Sequence, residues 1–154
     1  MDKTSLMKVI SDLRLSLRRF DFTITSLFKS CGLSGNTFRV LMELYCNPDG
    51  IEPAAIADAT NLVRPAVTQL LNDLESSGLI ERREHAADHR RKIVTLTPRG
   101  QALAAETLEK LTSIEQRTLN RFSDDDLNCM CRVFDSYTRT LEQEFADEEK
   151  KSSK

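Results

Sequence analysis

Apolar residues near the start of the chain fall on one line. Leu6, Ile10, Leu13, Leu17, Phe20, Ile24, Leu27 and Cys31 alternate at spacings of four and three, which is the a/d seam of a long helix. A stripe so narrow predicts packing against other helices or a second subunit. Gly32 is placed to end the helix. Ser34 suits the N-cap of a second helix carrying Phe38, Leu41, Leu44 and Tyr45 on one face. Asn47-Pro48-Asp49-Gly50 predicts a tight turn, because proline fixes φ and glycine permits a positive one. Ile51 follows as a single β-type residue, and Pro53 suits the first turn of a short helix over 54–60.

Asn61-Leu62-Val63 interrupts that helix and Pro65 opens another. Its inward set is Val67, Leu70, Leu71 and Leu74, and it stops at Gly78. A strand over 79–83 and a second over 93–97 flank a polar loop at 85–91. Thr97-Pro98 caps a long helix that includes Leu103, Leu108, Leu111 and Ile114. Ser123 with Asp126 resembles a capping box. It opens a last helix with Leu127, Met130, Phe134, Tyr137, Leu141 and Phe145 on one stripe. Residues 150–154 read as a flexible, frayed tail. The expected fold is mainly α with a small β-hairpin wing.

The net charge of −2 argues against a polyanion partner until its distribution is considered. Residues 82–99 hold six basic side chains (Arg82, Arg83, Arg90, Arg91, Lys92, Arg99) against Glu84 and Asp88, a local excess of four positive charges. Acidic residues gather instead at Glu142, Glu144, Asp147, Glu148 and Glu149. A positive segment on an otherwise acidic chain marks a local anion-binding surface. No apolar run approaches the roughly 20 residues of a membrane span, and the amino terminus lacks the pattern of a secretion signal. A cytoplasmic location is expected, with Cys31, Cys46, Cys129 and Cys131 as free thiols.

A short helix, a turn, a second helix and a hairpin make the winged helix-turn-helix order, expected here over 34–97. The second helix has a face to spare, formed by Arg64, Pro65, Thr68, Gln69 and Asn72. Apart from the proline these side chains suit base edges: Gln or Asn pairs with adenine, Arg with guanine, and Thr touches a thymine methyl. In the hairpin, Arg90, Arg91 and Lys92 form a run of three cations at a flexible tip, suited to the negative minor groove. Asp88, two residues before Arg90, is spaced to hold that guanidinium and aim it.

From Ile56-Ala57, through Leu70-Leu71-Asn72-Asp73-Leu74-Glu75-Ser76-Ser77-Gly78-Leu79-Ile80-Glu81-Arg82, to Asp88-His89-Arg90-Arg91-Lys92 and Leu96-Thr97-Pro98-Arg99-Gly100, the chain resembles the MarR family of bacterial transcription regulators. The combination is specific where its single pieces are weak. The resemblance implies a homodimer on double-stranded DNA, with 1–33 and 98–149 as a helical dimerisation region and two winged lobes reading a near-palindromic operator. It also implies a repressor released by a small anionic aromatic ligand, by thiol oxidation or, rarely, by metal. In such proteins the residue matching Arg90 enters the minor groove and the residue matching Asp88 steadies it. Gln69 and His89 depart from the pattern, since many relatives carry Arg at both places.

Competing readings are thinner. His85 and His89 lie four apart but in a polar loop, and no Cys-x-x-Cys spacing is present, so neither a metal nor a cofactor is expected. Cys31 is the candidate for a thiol switch. On an apolar stripe a cysteine is more often a packing residue, and that reading extends to Cys46, Cys129 and Cys131. No nucleophile–base pair or glycine-rich phosphate loop supports an enzyme. A winged-helix module that binds protein instead of DNA is the remaining alternative.

Overall fold

The computed structural model describes residues 2–85 and 88–152, including every side chain in those ranges except at 85 and 88–90. The chain forms two compact units, Met1–Leu111 and Thr112–Lys154. The first contains α1 (Lys3–Ser30), α2 (Gly35–Cys46), α3 (Pro53–Thr60), α4 (Arg64–Ser76), β1 (Ile80–His85), β2 (Asp88–Leu96) and the start of α5 (Pro98–Leu119). The second contains the end of α5 and all of α6 (Asp124–Ser152). No helix among the described residues is long and apolar enough to cross a membrane.

Asp2 caps α1 by accepting from the Ser5 backbone N–H at 2.8 Å, and this bond holds its carboxyl below the usual value. The helix ends at Cys31, followed by Gly32 with φ +74°. Its last turn buries Phe28, which stacks on Phe38 of α2 with ring centroids 4.2 Å apart. Further back the seam is open. Leu6, Leu17 and Phe20 are all exposed within the chain.

Helix α2 is the centre of the lobe. Ser34 caps it through the Thr37 N–H at 3.0 Å. Val40, Leu41 and Leu44 are sealed because α1, α3, α4 and β2 all meet this helix. The turn after it depends on Gly50, whose φ is +100° and whose missing Cβ would sit 2.2 Å from Ile93 Cγ2. That close approach delivers Ile51 to the wing. Ile51 donates to the Val94 carbonyl at 3.1 Å, and Val94 donates back at 2.9 Å. Ile56 and Ala57 of α3, Val67, Leu71 and Leu74 of α4, and Leu79, Ile80 and Val94 complete the core.

The Leu-Thr-Pro-x-Gly segment has a mechanical role. Thr97 donates its hydroxyl to the Gly78 carbonyl at 2.8 Å and its N–H to the Leu79 carbonyl at 3.0 Å. The same hydroxyl accepts the Gly100 N–H at 3.1 Å, capping α5. Arg99 donates to the Ser77 carbonyl at 2.9 Å. A Cβ on Gly100 would lie 1.9 Å from the Leu79 carbonyl oxygen, so only glycine fits. The end of α4 is thereby clamped to the start of α5.

In the second unit α6 begins as expected. The Ser123 hydroxyl accepts the Asp126 N–H at 3.2 Å and donates to its carboxylate at 2.6 Å. No α6 residue is buried within the chain, and Met130, Phe134, Tyr137, Leu141 and Phe145 all stand exposed. Residues 150–152, expected as part of a frayed tail, continue the helix. Lys150 and Lys151 pair with Asp147 and Glu148 one turn back, and their charges suit a helix C-terminus. Residues 153–154 lie outside the description.

Candidate nucleic-acid interface

Pro65 sits in the first turn of α4, and Val67, Leu71 and Leu74 bury one side of that helix. The opposite side carries Arg64, Pro65, Thr68, Gln69 and Asn72, all exposed. Steps of one, three, one and three residues place the five in a double row on a single face. Several are already engaged. Thr68 Oγ1 donates to the Arg64 carbonyl at 3.0 Å, and Gln69 Nε2 donates to Asp73 Oδ1 at 2.9 Å. Asn72 Oδ1 accepts from Arg82 Nη2 at 2.7 Å. Val63, directly ahead of α4, is 72% exposed. An apolar side chain so open beside the exposed row of α4 was not singled out from the sequence.

The wing differs from expectation in where its cations sit. The strands run to His85 and from Asp88, so Arg90, Arg91 and Lys92 belong to β2 and not to a flexible loop tip. The reason is the pairing of the outer rungs. Glu84 lies opposite Lys92 in the ladder, with an ion pair at 3.3 Å, and opposite charges across strands stabilise a ladder without apolar alternation. Arg91 pairs with Glu52, the residue ahead of α3. Arg83 reaches Glu81 at 3.5 Å and the Thr95 hydroxyl at 3.2 Å. Surface pairs of this kind are worth at most about 1 kcal/mol, so a phosphate can displace the carboxylates. The backbone of Asp88 and Arg90 lies on β2. The pairing expected between their side chains falls outside the described residues.

Of the basic segment, then, Arg82 and Arg99 brace the lobe while Arg91 and Lys92 stay at the surface. Glu52 escaped the sequence reading, and Arg82 was read there only as one cation of the basic segment and not as a brace on Asn72. Glu52 meets a residue 39 positions away, a contact with no local signal. Cys31 is half-buried and packs on the core, with Ser30 Oγ 4.0 Å from its sulfur, and belongs to neither α4 nor the wing. Cys46, Cys129 and Cys131, expected as packing residues, are exposed within the chain, Cys46 because it lies off the buried stripe of α2 and the other two because no residue of α6 is buried.

Two helices joined by a short turn and followed by an antiparallel hairpin make this unit a winged helix-turn-helix lobe, a DNA-binding class of fold. The comparisons with known proteins narrow the class. Residues 32–91 match the model of the MarR family. The chain is 28% identical over 117 residues to the HTH-type transcriptional repressor YetL of Bacillus subtilis, covering 75% of this chain and 70% of that one. It is 29% identical over 86 residues to the transcriptional regulator HosA of Escherichia coli, covering 56% of this chain and 64% of that one. Among solved structures, a MarR-family transcription regulator superposes with a TM-score of 0.81 at 22% identity, over 91% of this chain and 92% of its own. The MepR–DNA complex of S. aureus gives 0.69 at 23% identity, over 91% and 98%. The segment 32–91 is thus similar to the MarR family, and the chain shares the fold of solved MarR-family regulators.

Proposed function

We propose that the protein is a homodimeric repressor that lays α4 in the major groove and the wing along the minor groove of a near-palindromic operator, and that a small anionic aromatic ligand releases it. The observation that carries this reading is the exposed row of Arg64, Pro65, Thr68, Gln69 and Asn72 on a helix whose other side is locked in the core. Arg91 and Lys92 supply phosphate-neutralising charge on the hairpin beside it. The dimer reading is supported by the open apolar stripes of α1 and of α6, which a second copy would cover. YetL is named a repressor, and MepR was crystallised on DNA. The ligand reading draws on a shallow hollow of about 320 Å³ along α1, lined by Leu15, Arg18, Arg19, Phe22 and Thr23. Guanidinium groups beside an aromatic ring match an anionic aromatic molecule.

Two lobes reading two half-sites need them about one helical turn apart. A gel-shift titration against the DNA flanking the protein's own gene tests the reading. Tight binding that weakens steeply with salt is expected. Arg90→Ala should reduce the slope of log affinity against log salt by about 0.9, one counterion's worth. Absence of binding to any duplex at low salt would refute the proposal and leave the protein-interaction module.

A further inference from the structure

Arg82 on β1 is withdrawn from solvent where its neighbours are not. Its side chain is 28% exposed, whereas those of Arg83, Arg91 and Lys92 are all more than half exposed. Nη2 donates to Asn72 Oδ1 at 2.7 Å and Nη1 lies 3.5 Å from Glu75 Oε2, so the guanidinium spans from the wing to the outer side of α4. Its Nε is buried and meets no acceptor among the described residues. A buried N–H without a partner is destabilising, so the guanidinium is not placed for its own satisfaction. What the placement achieves is a grip on the Asn72 amide.

The chemistry of that grip is one-sided. Arginine only donates, so the amide must turn its oxygen toward Arg82. No described residue accepts from Asn72 Nδ2, and Asn72 is exposed on the reading face. Asn72 therefore offers outward two N–H donors, with one lone pair of its oxygen already taken. Adenine needs a side chain that donates to N7 while accepting from the N6 amino group. Guanine presents two acceptors, O6 and N7, on the same edge.

We propose that Arg82 is a positioning residue for base specificity, which holds the Asn72 carbonyl so that Asn72 selects guanine over adenine at its operator position. The proposal rests on the reading that α4 enters the major groove, and the test separates the two. The full-length protein and its variants are each used to select bound duplexes from a random library, with thermal melting run alongside. Asn72→Ala identifies the operator position by erasing the preference there. Arg82→Met frees the Asn72 oxygen and should shift that position from guanine toward adenine by about tenfold, the scale of one good side-chain–base pair. Arg82→Lys, which keeps a donor against the oxygen, should retain guanine. Asn72→Asp keeps the Arg82 contact but has no donors, so it should lose guanine, and this holds even where Arg82→Met does not fold. A wild-type preference for adenine at that position overturns the proposal. So does an unchanged preference in Arg82→Met or retained guanine in Asn72→Asp. A wild-type protein that enriches no motif refutes the α4 reading itself.

Discussion

Helix α2 and helix α6 carry apolar stripes of similar quality, yet their fates are opposite. Val40, Leu41 and Leu44 of α2 are at most 1% exposed, sealed by four neighbouring elements. In α6, Phe134 is 50% exposed and Phe145 64%, and no residue of the helix is buried. Amphipathicity by itself does not say what covers a helix. The winged lobe contains its own partners, whereas the α6 stripe has none within its unit, and the proposed dimer is what would supply them. Large apolar surfaces left open on one chain mark an interaction face.

The contrast can be broken most severely from the packed side. Leu41→Ala should destabilise the lobe by about 2–5 kcal/mol, the usual result of a cavity in a dense core. Urea denaturation should show the loss at every protein concentration. Gly100→Ala should act on a similar scale, because the added methyl would collide with the Leu79 carbonyl. A near-native melting temperature in that variant would show that the α4–α5 clamp is not rigid. On the open side, Phe134→Glu together with Tyr137→Glu should leave the lobe's circular dichroism intact. It should weaken self-association by at least tenfold, about 1.4 kcal/mol, in sedimentation equilibrium. If association is untouched, the α6 stripe serves another purpose.

Smaller effects sharpen the distinction within the lobe between bracing and reading residues. Gln69→Ala should relax preference at one base position by about 1–3 kcal/mol while leaving non-specific affinity alone. A uniform loss across all sequences would move Gln69 to the bracing group. Smallest of all, Glu52→Gln removes the carboxylate that competes with phosphate for Arg91. DNA affinity should rise by less than about fivefold, the worth of a surface ion pair. A fall in affinity would mean that Glu52 aims Arg91 and does not restrain it.

Much of this was legible in the sequence because the signals were local. The Ser34 cap, the 47–50 turn, the inward residues of α4 and its exposed row all follow from spacing and from residue chemistry within a turn or two. What was not legible depended on long-range contacts. Val40 was missed because a central helix is buried on more than one stripe, and periodicity finds only the main one. In α5 the buried stripe is Gly100, Ala104 and Thr107, small residues that a search for leucines overlooks. The hairpin was read too short because charged cross-strand partners, not β-branched residues, hold its outer rungs. In the candidate interface, the exposed row of α4 followed from the sequence, but the hydrogen bonds that orient its side chains did not. Arg82 and Asn72 are ten positions apart on different elements.

The paired hydrogen bonds between Ile51 and Val94 bear on how such a lobe can diversify. They stitch the root of the hairpin to the α2–α3 junction, so changes in length beyond His85 alter only how far the wing reaches. An inserted or lost residue between Val94 and Thr97 would turn the buried valine outward or pull Thr97 off the Gly78 carbonyl. Descendants of this protein are thus free to explore new groove depths at the far end of the hairpin, while its base tolerates no change of length.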